Sequence, residues 1–160
     1  MIFQPTSNPP LVQGIRIFRS SWMVRGSAIC LPGLGIFLSK TLHQSSEKVI
    51  IQHEYGHYLD YLHGFEGDQK RFLGSRFIGF YLKIGLPSLL NLTPGWRHLP
   101  WFKGNHRLFW TELRANHLAS AHFGKELAAG FERRFPSKVW NHEKIGFEKK
   151  ISTKPHLEFF

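Results

Sequence analysis

Residues 53–57 read His53-Glu54-Tyr55-Gly56-His57, and they fall inside a stretch patterned as a helix over about 46–63. Val49, Ile50, His53, Tyr55 or Gly56, and His57 recur at three- and four-residue spacing. Ser45 or Ser46 supplies a cap, Glu47 sits favourably in the first turn, and Gly64 provides the stop. Residues four apart share a helix face, so the His53 and His57 imidazoles can converge on one metal ion. Glu54 is rotated away from His53, within reach of a water on that ion. That position suits a general base.

The stretch fits the H-E-x-x-H pattern of zinc peptidases. Two imidazoles leave Zn2+ one short of its usual three protein ligands plus an open water position. Two residues compete for the third place. His63 has the spacing of the longer H-E-x-x-H-x-x-G-x-x-H pattern, but Asp60 stands where that pattern needs glycine. Both methionines, Met1 and Met23, also lie upstream of the motif, so no Met-turn follows it. If the helix runs on to Gly64, His63 sits about 9 Å along the axis from His57 and cannot share its ion. Glu112, in Trp110-Thr111-Glu112-Leu113-Arg114-Ala115-Asn116 on a second helix, is the better candidate. Asn116 lies one turn further on the same face, where its oxygen can accept the outer N–H of a liganding histidine.

Around these two helices the chain reads as a single α+β domain over 1–136, followed by a basic, weakly packed tail over 137–160. Residues 1–14 form an irregular lead-in. Strand-like segments at 15–19, 27–31 and 35–38, with a turn at Pro32-Gly33, predict a small N-terminal antiparallel sheet or pair of hairpins. Residues 72–90 read as one broken helix or two short ones, 91–105 as a loop carrying Trp96 and Trp101, 106–123 as the second ligand-bearing helix, and 125–135 as one more. With 42% apolar residues a real core is available, and the single cysteine, Cys30, excludes disulfide scaffolds and thiolate zinc fingers. No secretory signal is read at the N-terminus. The tract 72–90, interrupted by Arg76, Lys83 and Pro87, makes a poor membrane span. A cytoplasmic or membrane-peripheral location is expected.

The sequence resembles the gluzincin-type metallopeptidases of the zincin fold, through residues 53–57 and through Glu112 with Ala115-Asn116. It is also similar to small bacterial zincin-like proteins that carry a His-Glu-Tyr-Gly-His helix, an apolar Gly-Leu-Pro-Ser segment and a Trp-Thr-Glu-x-x-Ala-Asn helix. Gly85-Leu86-Pro87-Ser88 and 110–116 correspond to the last two. The likeness covers about 35–124 and departs from better-studied gluzincins in the long insert between the helices. It implies a zincin-like fold and a zinc metallopeptidase with His53, His57 and Glu112 as ligands and Glu54 as base.

The expected chemistry is metal-assisted hydrolysis of a peptide or protein substrate. His106, His117 and Tyr58 are of suitable type to stabilise an oxyanion. The strand 35–38 is read as an edge to which an extended peptide adds. Two other readings come from composition. The net charge of +10 with 15% aromatic residues suits nucleic acid, although scattered charge fits a solvated face better than a nucleic-acid track. The insert 71–101 reads either as a helical cap completing a small core or as a membrane-surface or substrate-binding element, with Trp96 and Trp101 at headgroup level. A third reading of the whole chain is a catalytically silent domain, peripheral to an anionic membrane surface, that retains the zinc fold.

Overall fold

Pro32 and Gly33 turn the chain back on itself. Gly33 takes a φ of 87°, and the Leu34 N–H donates to the Leu31 carbonyl at 2.9 Å. The computed structural model of the chain describes residues 12–63, 76–93, 95, 96, 99 and 105–137, with backbone alone at 4–6, 76 and 77. The Pro-Gly turn joins β3 (Ala28–Leu31) to β4 (Gly35–Ser39) as an antiparallel hairpin. On the other side of β4 lies β2 (Ile17–Ser20), which runs parallel to it with Ile17 opposite Ile36. The sheet is therefore mixed, not antiparallel throughout. The connection 21–27 carries the chain past the place of β4 to the far edge, so β4 returns into the gap between β2 and β3.

The lead-in is not wholly irregular either. β1 (Gln4–Thr6) pairs antiparallel with β2, giving the order β1-β2-β4-β3. Pro5 is tolerated because an edge strand has N–H groups it need not use. β4 is buried along its whole length and is not an edge. Its inner residues Ile36 and Leu38 join Ile17 in the core, while Phe37 on the other face stacks on Phe18 at 5.2 Å.

α1 (Gln44–His63) packs Val49, Ile50, Ile51 and Leu59 into that core. It starts two residues earlier than serine capping implies, because the His43 ring does the capping. His43 Nδ1 accepts the Ser45 N–H at 3.3 Å and pairs with the Ser45 hydroxyl at 2.7 Å. Glu47 in the first turn pairs with Arg19 of β2, tying helix to sheet. The expected stop, Gly64, lies outside the described residues.

Over residues 76–92 the chain is one helical rod: α2 (Arg76–Phe80), a π-helical turn (Tyr81–Gly85) and α3 (Leu86–Leu92). The Leu86 N–H bonds to the Tyr81 carbonyl five residues back, and Pro87 has no N–H to continue the α pattern. A π-turn winds more slowly than an α-turn, so residues four apart line up. Phe80, Ile84 and Ser88 therefore fall in one row and Ile78, Leu82 and Leu86 in another. Phe80 and Ile84 make a second small core with Tyr61, Tyr81 and Trp110, which fits the helical-cap reading of the insert. Residues 72–75 and Trp101 lie outside the described residues.

The expected helix over 106–123 is split. A 3₁₀ turn at His106–Leu108, capped by Asn105 accepting the Arg107 N–H at 3.1 Å, precedes α4 (Trp110–Phe123). Phe109 is extended between them. The last expected helix shrinks to a 3₁₀ turn (Gly124–Glu126) and α5 (Phe131–Arg134). Buried Gln52 of α1 breaks it: its amide donates to the Glu126 carbonyl at 3.0 Å and accepts the Ala128 N–H at 2.7 Å. Ser137 is buried and bonded to Glu132, so the packed body takes in the first residue of the expected tail. The rest of the tail, 138–160, lies outside the described residues.

α1 and α4 cross at backbone contact. A Cβ on Gly56 would stand 2.1 Å from the Ala115 carbonyl oxygen, and Ala115 itself is fully buried. Among the described residues no helix is long and apolar enough to cross a membrane.

Candidate metal centre

The crossing brings three predicted residues together. One ligand atom each from His53, His57 and Glu112 lies within 4.8 Å of the others, with all three residues buried or nearly so. Glu112 Oε2 is 3.3 Å from His53 Nε2 and 3.4 Å from His57 Nε2. These distances are long for charge-assisted hydrogen bonds, which run about 2.7–2.9 Å. They match the edge of a tetrahedron, about 3.3–3.4 Å, whose vertices lie about 2.0–2.1 Å from a shared zinc ion. Two imidazoles and one carboxylate at this spacing are a donor set that could hold a metal ion.

Neighbours fix how each donor is presented. Asn116 Nδ2 donates to the Pro136 carbonyl at 3.2 Å, which turns its Oδ1 toward His53. His53 Nδ1 then donates to that oxygen at 2.7 Å, leaving the Nε2 lone pair aimed at the centre. The His53 ring stacks on Phe135 at 4.0 Å and 6°. Glu112 is held through its other oxygen, which accepts the Ser88 hydroxyl at 2.9 Å, so Oε2 is the oxygen that faces His53 and His57. Asp60 is fully buried and ion-paired with Arg114 at 2.6 Å, and its charge acts on His57 one turn back. This links α1 to α4 a second time.

Glu54 is buried beside the cluster, and the Cys30 backbone N–H donates to its carboxylate. The geometry of the hairpin explains this contact. The Ser39 N–H bonds to the Ser27 carbonyl at 2.9 Å, so alternate residues of β3 face β4 while Ala28 and Cys30 face outward. The strand bordering the site is thus β3, not 35–38. Burial raises the Glu54 carboxyl above its usual range; His53 and His57 oppose this and Glu112 adds to it. Burial and then Glu54 push the Cys30 thiol up, which keeps it protonated.

No protein-family model, curated protein or solved structure matches this chain.

His106 reaches the centre from the 3₁₀ turn, with Nε2 3.6 Å from Glu112 Oε1 and Nδ1 paired with Asn91 Oδ1 at 2.8 Å. Tyr58 does not reach it, because its hydroxyl donates to the Gly14 carbonyl at 2.6 Å on another face of α1. His117 is exposed on α4. His63 ends the uninterrupted α1 helix and stays outside the cluster. Sequence reasoning assigned no role to Ser88, Asn91 or Asp60. The signal for Asn91 was a lone amide within an apolar run, and it is fully buried.

In the metal-free protein, burial lowers the His57 pKa, but Glu112 facing it prevails and raises it to about 9. Burial likewise raises Glu112, yet His57 and His53 hold it well below the usual carboxylate range. The raised His57 contributes stability below pH 6.5 that is lost as pH climbs through about 9. The lowered Glu112 contributes stability above pH 4.5 that is lost on acidification. Metal-free protein is thus expected to melt highest between these two values.

Proposed function

We propose that this protein is a zinc-dependent peptidase of zincin-like architecture. The observation that carries the reading is the approach of Glu112 Oε2 to 3.3 and 3.4 Å from the His53 and His57 Nε2 atoms, with Glu54 buried beside them. When bound, zinc supplies a Lewis acid that acidifies a water and polarises a carbonyl oxygen. Glu54 takes the proton of the attacking water and returns it to the leaving amine nitrogen. The Cys30 N–H steadies its carboxylate for both transfers. Because its Nδ1–H goes to Asn91 Oδ1, His106 would donate to the carbonyl oxygen as it gains charge only as an imidazolium, through Nε2. An extended peptide would lie along β3, meeting the outward backbone of Ala28.

The test is metal content beside hydrolysis of a peptide library. Wild type is expected to hold about one zinc per chain, with zinc and hydrolysis both lost in His53→Ala and Glu112→Ala. Zinc retained by both variants would remove the reading. Asn116→Ala should weaken zinc about 10- to 100-fold, because nothing then selects the His53 tautomer. Competition binding with a chromogenic chelator measures this, and unchanged affinity would mean Asn116 only packs.

Zinc must displace the proton that Glu112 holds on His57, so its apparent affinity should strengthen from pH 6.5 to about 9. Titration calorimetry in buffers of different ionisation heat should count about one proton released per ion near pH 7.5. Release of none would contradict the pairing.

A further inference from the structure

The rod over 76–92 has two faces. The inner face delivers Ser88 and Asn91 to the centre. The outer face presents Ile78, Leu82, Leu86, Leu89 and Leu92, each 43–60% exposed, and the chain continues into exposed Trp96. Eight of the twelve large apolar residues exposed among the described residues fall between 78 and 108. Such a concentration marks an interaction surface. The sequence of this stretch is basic as well. Residues 69–111 contain seven Lys or Arg and no Asp or Glu, so seven of the ten net positive charges lie in this stretch. One of them, Arg107, is exposed next to exposed Leu108 in the turn whose His106 bonds to Asn91 of α3.

We propose that the outer face of the rod docks on an anionic phospholipid surface, with its leucines entering the acyl boundary and the lysines and arginines of the same stretch of sequence meeting the headgroups. An aliphatic stripe on a helix set in a basic, acid-free segment is the pattern of an in-plane interfacial helix. A second copy is the poorer occupant, because symmetric pairing would bring together two copies of one basic, acid-free stretch of sequence. Nucleic acid is poorer too, since its bases stack on aromatic rings and the centre of this face is aliphatic.

The experiment is co-sedimentation of the zinc-loaded full chain with vesicles of equal phosphatidylglycerol and phosphatidylcholine, or of phosphatidylcholine alone. Partitioning should be about tenfold or more stronger on the anionic vesicles and fall steeply between 0.1 and 0.5 M salt, on the order expected when the Debye length shrinks. Leu86→Asp and Leu89→Asp should each reduce binding about tenfold or more, with circular dichroism and zinc content unchanged. Leu89→Phe, which keeps the face apolar, should bind as wild type and serves if the Asp variants fail to fold. Equal partitioning on both vesicle types, retention of binding by Leu86→Asp, or loss of binding in Leu89→Phe would overturn the proposal. So would a concentration-dependent dimer in light scattering that the same Asp variants abolish, which would assign the face to a second copy.

Discussion

Glu54→Gln is expected to lower peptide hydrolysis by about 10²- to 10⁴-fold while leaving about one zinc per chain. The substitution keeps the shape of the side chain and an oxygen that can accept the Cys30 N–H. It removes only the ability to carry a proton. Glu54 is not one of the three residues that define the centre, so metal retention and loss of turnover should separate. Burial has already raised its carboxyl above the ordinary range, which brings it nearer the pH at which it must both accept and release a proton. Single-turnover hydrolysis and metal analysis on one preparation decide the matter. Zinc lost together with activity would make Glu54 a support of the centre; activity retained with zinc would remove it as the base.

Gly56→Ala is expected to destabilise the fold by about 3 kcal/mol, the upper end for overpacking, and to lower zinc content with it. The added methyl would stand 2.1 Å from the Ala115 carbonyl oxygen, which is backbone and cannot swing aside. The helices must part at the one place that sets His53 and His57 against Glu112. Gly95→Ala, with open space around the new carbon, is the control and should change little. Urea denaturation with zinc analysis on the refolded protein reads both effects. Wild-type stability and zinc in Gly56→Ala would show that the crossing tolerates a wider gap than its geometry implies.

Much of the centre was legible because its parts are local and chemical. His53 and His57 are one turn apart on a helix whose periodicity is plain, and Glu112 and Asn116 repeat that spacing on α4. Which helices meet is a non-local matter, and only Gly56 and Ala115 hinted at it, as small residues beside the ligands. Strand order was not legible. Short apolar strands look alike in parallel and antiparallel pairs, and the crossover through 21–27 carries no pattern of its own. Nor was the π-turn, although Pro87 marks where it must lie. Ser88 and Asn91 gain their meaning only when the rod folds back over α4, and hydropathy alone leaves them as interruptions of an apolar run.

The stacking of Phe135 on His53 has a consequence for the order of events during synthesis. The imidazole is made early, its Asn116 partner much later, and the ring and Pro136 carbonyl that complete its surroundings later still. A nascent chain that has emerged only as far as α4 holds all three donors but lacks the wall behind one of them. If the centre holds zinc as proposed, its finished geometry waits for the last packed turn, and a released fragment ending near residue 125 should exchange its ion far faster than the whole protein.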